Sequence, residues 1–175
     1  MATQPDDTDL EFSSAERLVE AARLCLLEDG AAHTSLKTIA ARAGVNHGLI
    51  HRYFGSKEAL MIAVLEDMDH DLPPLGLADA KSDAAFIVEK IFKNQRVSIE
   101  LLSLSYQMPA LRQAFVRKTR KTLRRYTEQT PKLGAKGALR LGSTLLGLAV
   151  YHAVDPKLPV QDVLERALDD LGLYS

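Results

Sequence analysis

Apolar residues recur at the three- and four-residue spacing of a helix almost from end to end of this chain, and no apolar–polar alternation lasts more than a few residues. A half-buried sheet needs that alternation, so the pattern leaves helices as the only regular structure available. The spacing predicts a first helix from about Ser14 to Glu28, capped by Ser13 or Ser14, with Leu18, Ala22 and Cys25 on one stripe and Asp29-Gly30 as the stop. A second is expected over Ser35–Ala43, where Leu36, Ile39, Ala40 and Ala43 share a face and Gly44 follows. Asn46 caps a short third helix reaching Phe54, and Ser56 caps a fourth reaching about Asp69. Asp71–Ser82, with Pro73-Pro74 and Gly76, reads as a loop. Further helices are expected over Asp83–Ser103, from Pro109 to about Glu128, over Ala135–Val154 and over Val160–Leu171. The expectation is an all-α fold of eight or nine helices.

Composition excludes several classes. With 46% hydrophobic and 26% charged residues in 175, the chain is ordinary for a soluble protein and long enough to bury its own core. A single cysteine, Cys25, rules out an intrachain disulfide, and its place on an apolar stripe predicts a buried, inert thiol. The acidic N-terminus resembles neither a secretory signal nor a transit peptide, and residues 1–12 read as a disordered tail. The longest apolar stretch, Leu145–Val154, is too short to span a bilayer. A cytoplasmic protein with no membrane partner is expected.

The net charge of −1 conceals local extremes. Residues 1–29 hold eight acids against two bases; residues 30–57 hold Lys37, Arg42, Arg52, Lys57 and three histidines with no acid. A second basic run, Arg112 to Arg125, lies in a stretch without acids. That second run is read as a solvated helix face, with attraction of an anionic effector or a charged dimer rim as alternatives. Around the first block the pattern points elsewhere. Val45, Ile50 and Phe54 have the spacing to pack the second and third helices onto the first, which leaves His47, Gly48, His51 and Arg52 outward on a short helix after a tight glycine turn. A bare glycine permits close backbone approach, and a polar helix among cations suits the major groove of double-stranded DNA. Ser35, at a helix start, Lys57 and the Tyr53 hydroxyl are the candidates for phosphate contacts.

Residues 14–60, with Ser35, Ile39-Ala40, Ala43-Gly44-Val45, Gly48, Tyr53-Phe54 and Ser56-Lys57-Glu58-Ala59-Leu60, resemble the DNA-binding domain of the TetR family of transcriptional regulators. The resemblance implies a two-domain all-α homodimer, with a helix-turn-helix domain over 13–58 and a ligand-binding and dimerisation domain over 59–175. By position it places Ser35, Asn46, His47, Gly48, His51, Arg52, Tyr53 and Lys57 at the DNA. Thr38 stands where the family often has a carboxylate, so no reciprocal capping box is expected on the second helix. His51 stands where a tyrosine is common. The family pattern further implies self-association through helices near 135–154 and 160–171, and a palindromic operator. It also implies a small-molecule effector held among the helices between Asp83 and Val154. Phe86, Ile91, Phe92, Asn94, Ser98, Leu102, Met108, Phe115 and Tyr126 are the candidate lining. The chain is short for the family, and a small cavity is expected.

Catalysis finds little support. His47 and His51 have the i, i+4 spacing of a helical metal pair, but the HGLIH run lacks the glutamate of a zinc-protease motif, and no metal, cofactor or catalytic residue is assigned. The alternative to a regulator is a helical adaptor or a nucleic-acid-binding module without operator specificity.

Overall fold

The computed structural model describes residues 13–68, 79–92, 95–172 and 174. Among them the only regular structure is helical: α1 (Ser14–Glu28), α2 (Leu36–Arg42), α3 (Gly48–Phe54), α4 (Lys57–Asp67), α5 (Ala80–Phe86), α6 (Gln95–Ser105), α7 (Pro109–Gln129), α8 (Gly134–Val154) and α9 (Val160–Asp169). The expected tail at 1–12, most of the expected loop after α4, and Asn94 lie outside the described residues.

The helix starts follow local chemistry. Ser13 and Glu16 form a reciprocal capping box on α1. Ser56 Oγ accepts from Ala59 N at 3.0 Å and opens α4. The loop expected to run through Ser82 ends earlier, because Asp79 Oδ1 accepts from Ser82 N at 2.8 Å and starts α5 at Ala80.

The single helix expected over Asp83–Ser103 is instead α5, a π-helical turn at Ile87–Ile91, and α6. Apolar residues keep helical spacing through this region, but they serve two different cores. Ala80, Ala84 and Ile87 share a core with Leu141 of α8, Leu164 and Leu168 of α9, and Tyr126 near the end of α7. Val97 and Leu101 pack with α1, α2, α3 and α4, around Leu18, Leu26, Ile39, Ile50, Leu60 and Met61. The start of α7, through Leu111 and Ala114, belongs to this N-terminal core, while its far end, through Tyr126, belongs to the other.

Candidate functional site

The α2–α3 turn is set by glycine. Val45 N bonds to Ala40 O at 3.1 Å and Gly44 N to Ala41 O at 3.2 Å, the paired bonds of a helix stop that needs a left-handed residue. Gly44 supplies it at φ +64°. The connection spans Ala43–His47, longer than the Gly44-Val45 link expected from sequence. Asn46 Oδ1 then accepts from Gly48 N at 2.8 Å and steadies the start of α3.

Along α3 the faces separate. Ile50 is fully buried, and Val45, Leu49 and Phe54 pack partly buried against the N-terminal core. His47, Gly48, His51, Arg52 and Tyr53 are exposed, as are Ser35 and Asn46. The two imidazoles meet edge to face with centroids 5.5 Å apart, and His51 Nδ1 lies 3.1 Å from the Gly55 carbonyl oxygen.

Three sequence expectations about this surface change. Thr38 completes the capping box on α2 without a carboxylate: Thr38 N donates to Ser35 Oγ at 3.1 Å, and Ser35 N donates to Thr38 Oγ1 at 2.9 Å. A hydroxyl one bond from Cβ reaches because α2 starts from an extended Ser35. Second, the acid-free block is not acid-free in space. Arg42 Nη1 lies 2.6 Å from Glu28 Oε2, and Arg42 Nη2 lies 3.8 Å from Asp29 Oδ2, both at the end of α1. Third, Lys57 is half-buried, and its ammonium donates to the Thr34 carbonyl beside the start of α2. Burial holds that ammonium below the ordinary lysine value. The bond uses one of the three donors of the ammonium.

Cys25 is buried, and burial pushes its thiol upward. No cluster of three or more His, Cys, Asp or Glu suited to a metal occurs among the described residues. Nor is any described helix long and apolar enough to cross a membrane.

Between α6, α7 and α8 lies a cavity of about 680 Å³, in the middle of the range for small-molecule sites rather than small. Of the lining residues expected from sequence, Ser98, Leu102, Phe115 and Tyr126 border it. Phe92 is instead buried in the C-terminal core, its ring 5.8 Å from that of His152. Ile91 packs against the same core, Met108 packs against the N-terminal one, and Phe86 is exposed on α5. For Ile91 and Phe92 the π-helical turn at Ile87–Ile91 is the reason, since these residues enter the core shared with α9. Sequence reasoning missed Ile99, Arg112, Val116, Thr119 and Leu123 on the wall. The last four fall at i, i+4, i+7 and i+11 along α7, a helical stripe hidden by its mixed polarity.

Two carboxylates join the N-terminal helices to those around the cavity. Glu100 Oε2, on α6, accepts from Ala31 N at 2.8 Å in the connection after α1. Glu58 Oε1, on α4, accepts from Ala110 N at 2.7 Å and Leu111 N at 3.2 Å at the start of α7. Neither could be read from sequence, because each partner is more than fifty residues away in the chain.

The model of bacterial regulatory proteins of the tetR family matches residues 18–64, the span of this capped helical unit. The HTH-type transcriptional repressor Rv3405c of Mycobacterium tuberculosis is 37% identical over 102 residues, 58% of this chain, and the match spans only 53% of that relative. The HTH-type transcriptional regulator BetI of Rhizobium meliloti is 32% identical over 158 residues, 90% of this chain and 74% of its own. The multidrug binding protein EbrR, solved with ethidium, shares the fold at a TM-score of 0.72 and 20% identity, over 91% of this chain and 98% of that one. Residues 18–64, the all-helical fold and the BetI match across nine-tenths of the sequence converge: the chain belongs to the tetR family of bacterial regulatory proteins.

Proposed function

We propose that this protein is a sequence-specific, DNA-binding transcriptional regulator that acts as a homodimeric, ligand-responsive repressor in the cytoplasm. The observation that carries this reading is α3: a buried Ile50 anchors it while His47, His51 and Arg52 stand in solvent around a bare Gly48. In this reading α3 enters the major groove, where Arg52 and the histidines meet base edges. Ser35, Asn46, Tyr53 and Lys57 position the duplex through its backbone. Residues 13–58 form the reading head and 59–175 the dimerisation and effector domain. The division is one of labour rather than of packing, since α1–α3 share their core with α4, α6 and the start of α7. Self-association is supported by apolar side chains left in solvent on α8 and α9, including Tyr151, Val154 and Val163. A ligand in the cavity releases DNA if it favours a dimer whose reading helices depart from about 34–36 Å or a multiple of it. The cavity's size and the ethidium complex of EbrR support that step.

Selection of bound sites from a random DNA pool tests the reading. A palindrome with half-sites about 10 base pairs apart, centre to centre, or a multiple of that, is expected. Uniform recovery of unrelated sequences would establish the non-specific module instead.

A further inference from the structure

The charges around the cavity define what it can hold. Its floor and walls are apolar, with Ile99, Leu102, Phe115 and Leu139 among them. Every charged residue on its lining is a cation: Arg112, Lys118 and Arg120, all on α7. No aspartate or glutamate borders it among the described residues.

The cations differ in availability. Lys118 donates from Nζ to the Leu65 carbonyl at 2.6 Å, which ties it to the wall. Arg112 and Arg120 are exposed, and neither has an ion-pair partner among the described residues. They sit eight residues apart on one helix, about 12 Å along its axis, so they are spread along the lining rather than crowded at one point. Tyr126 also borders the cavity, and a phenol is uncharged at neutral pH, so it adds no negative charge.

We propose that this cavity takes an apolar acid: a carboxylate, or a similar single anion, carried on a hydrophobic body. The inference rests on reading the cavity as the effector site. The apolar body removes the walls from water, and the anion meets a guanidinium fork that matches carboxylate geometry. A hydrophobic cation of the same size gains the first term and faces like charge in the second. The ethidium held by EbrR is of that opposite class. The basic helix, read from sequence as a solvated face, thereby acquires a role along one of its sides.

Titration calorimetry on the full chain, with decanoate, 1-decanol and decyltrimethylammonium as probes, tests the assignment. Decanoate is expected to bind about tenfold more tightly than the alcohol, with the ammonium weakest, and the preference should shrink in high salt. Joint substitution Arg112→Gln and Arg120→Gln is expected to erase the preference for decanoate over decanol while decanol binding persists, which also reports a folded cavity. Tighter binding of the ammonium, an undiminished decanoate preference in the double variant, or no binding of any probe would overturn the proposal. Release of selected operator DNA is measured separately. Decanoate binding without DNA release would uphold the ligand class and overturn the regulatory reading.

Discussion

Gly48 has a reason to be glycine besides any approach to DNA. A Cβ there would lie 3.2 Å from Asn46 Oδ1, the atom that accepts from the Gly48 amide. The bare position and the Asn46 cap are therefore parts of one local device. Arg52, one turn further along, is exposed and has no ion-pair partner among the described residues, so its substitution reads out recognition more cleanly. Arg52→Ala is expected to weaken binding to the selected operator by about 1–3 kcal/mol while leaving binding to random DNA nearly unchanged. Competition gel shifts check this, and equal losses on both DNAs would remove Arg52 from base recognition. Tyr126 permits a second prediction at this scale. Burial pushes its phenol up to about 12, against a weaker downward pull from Arg125. Between an ordinary value near 10 and that value, the folded chain keeps a proton that the unfolded chain has released. Stability therefore falls as pH rises through that window, by about 2–3 kcal/mol in all, and is unaffected below it. Urea unfolding of Tyr126→Phe beside the parent chain should show the parent losing more stability between pH 10 and 12. Parallel pH profiles would contradict this.

At the scale of the element, α4 is held by α7 near both of its ends. Pro109 opens α7 and lacks an N–H, so Ala110 and Leu111 are the first donors of the helix, and Glu58 takes both. Near the other end of α4, the Leu65 carbonyl accepts from Lys118. A carboxylate at the positive end of a 21-residue helix gains from the dipole as well as from the two bonds. Glu58→Ala is expected to lower the unfolding free energy by about 1–2 kcal/mol, with Glu58→Gln recovering part of it. Equilibrium urea denaturation measures both, and an unchanged midpoint for Glu58→Ala would show the contact to be energetically idle. Because α4 follows the proposed reading helix directly, the same contact offers a route by which a shift of α7 around a ligand would reach α3. α8 also approaches α7 closely at Gly142, where a Cβ would lie 3.4 Å from the Leu123 side chain.

At the scale of the whole molecule, α8 and α9 leave large apolar side chains in solvent: Val154 is 79% exposed, Tyr151 63% and Val163 49%. The proposed self-association rests on this surface. The double substitution Val154→Asp and Val163→Asp is expected to yield a folded monomer by light scattering. Operator affinity should then fall by about 10²–10⁴, because two half-sites are no longer engaged through one linked body. A dimer that survives the double substitution would place the interface on another face.

Local chemistry written in contiguous residues determined the reading unit. The caps at Ser13, Ser35 and Ser56 and the glycine stop at Gly44 each depend on neighbours within about one helical turn, and those neighbours are legible in a linear string. The helical class followed in the same way from periodicity. Tertiary structure alone decided what apolar spacing cannot specify, namely which core each stripe enters. Phe92 and Leu102 are equally plausible wall residues in sequence, yet the π-helical turn sends the first into the core shared with α9 and the second to the cavity. It also decided the fate of charge. Arg42 finds Glu28, Lys57 finds the Thr34 carbonyl, and Glu58 and Glu100 find amides more than fifty residues away, because the free energy of a charge is set by what folding brings within a few ångströms of it.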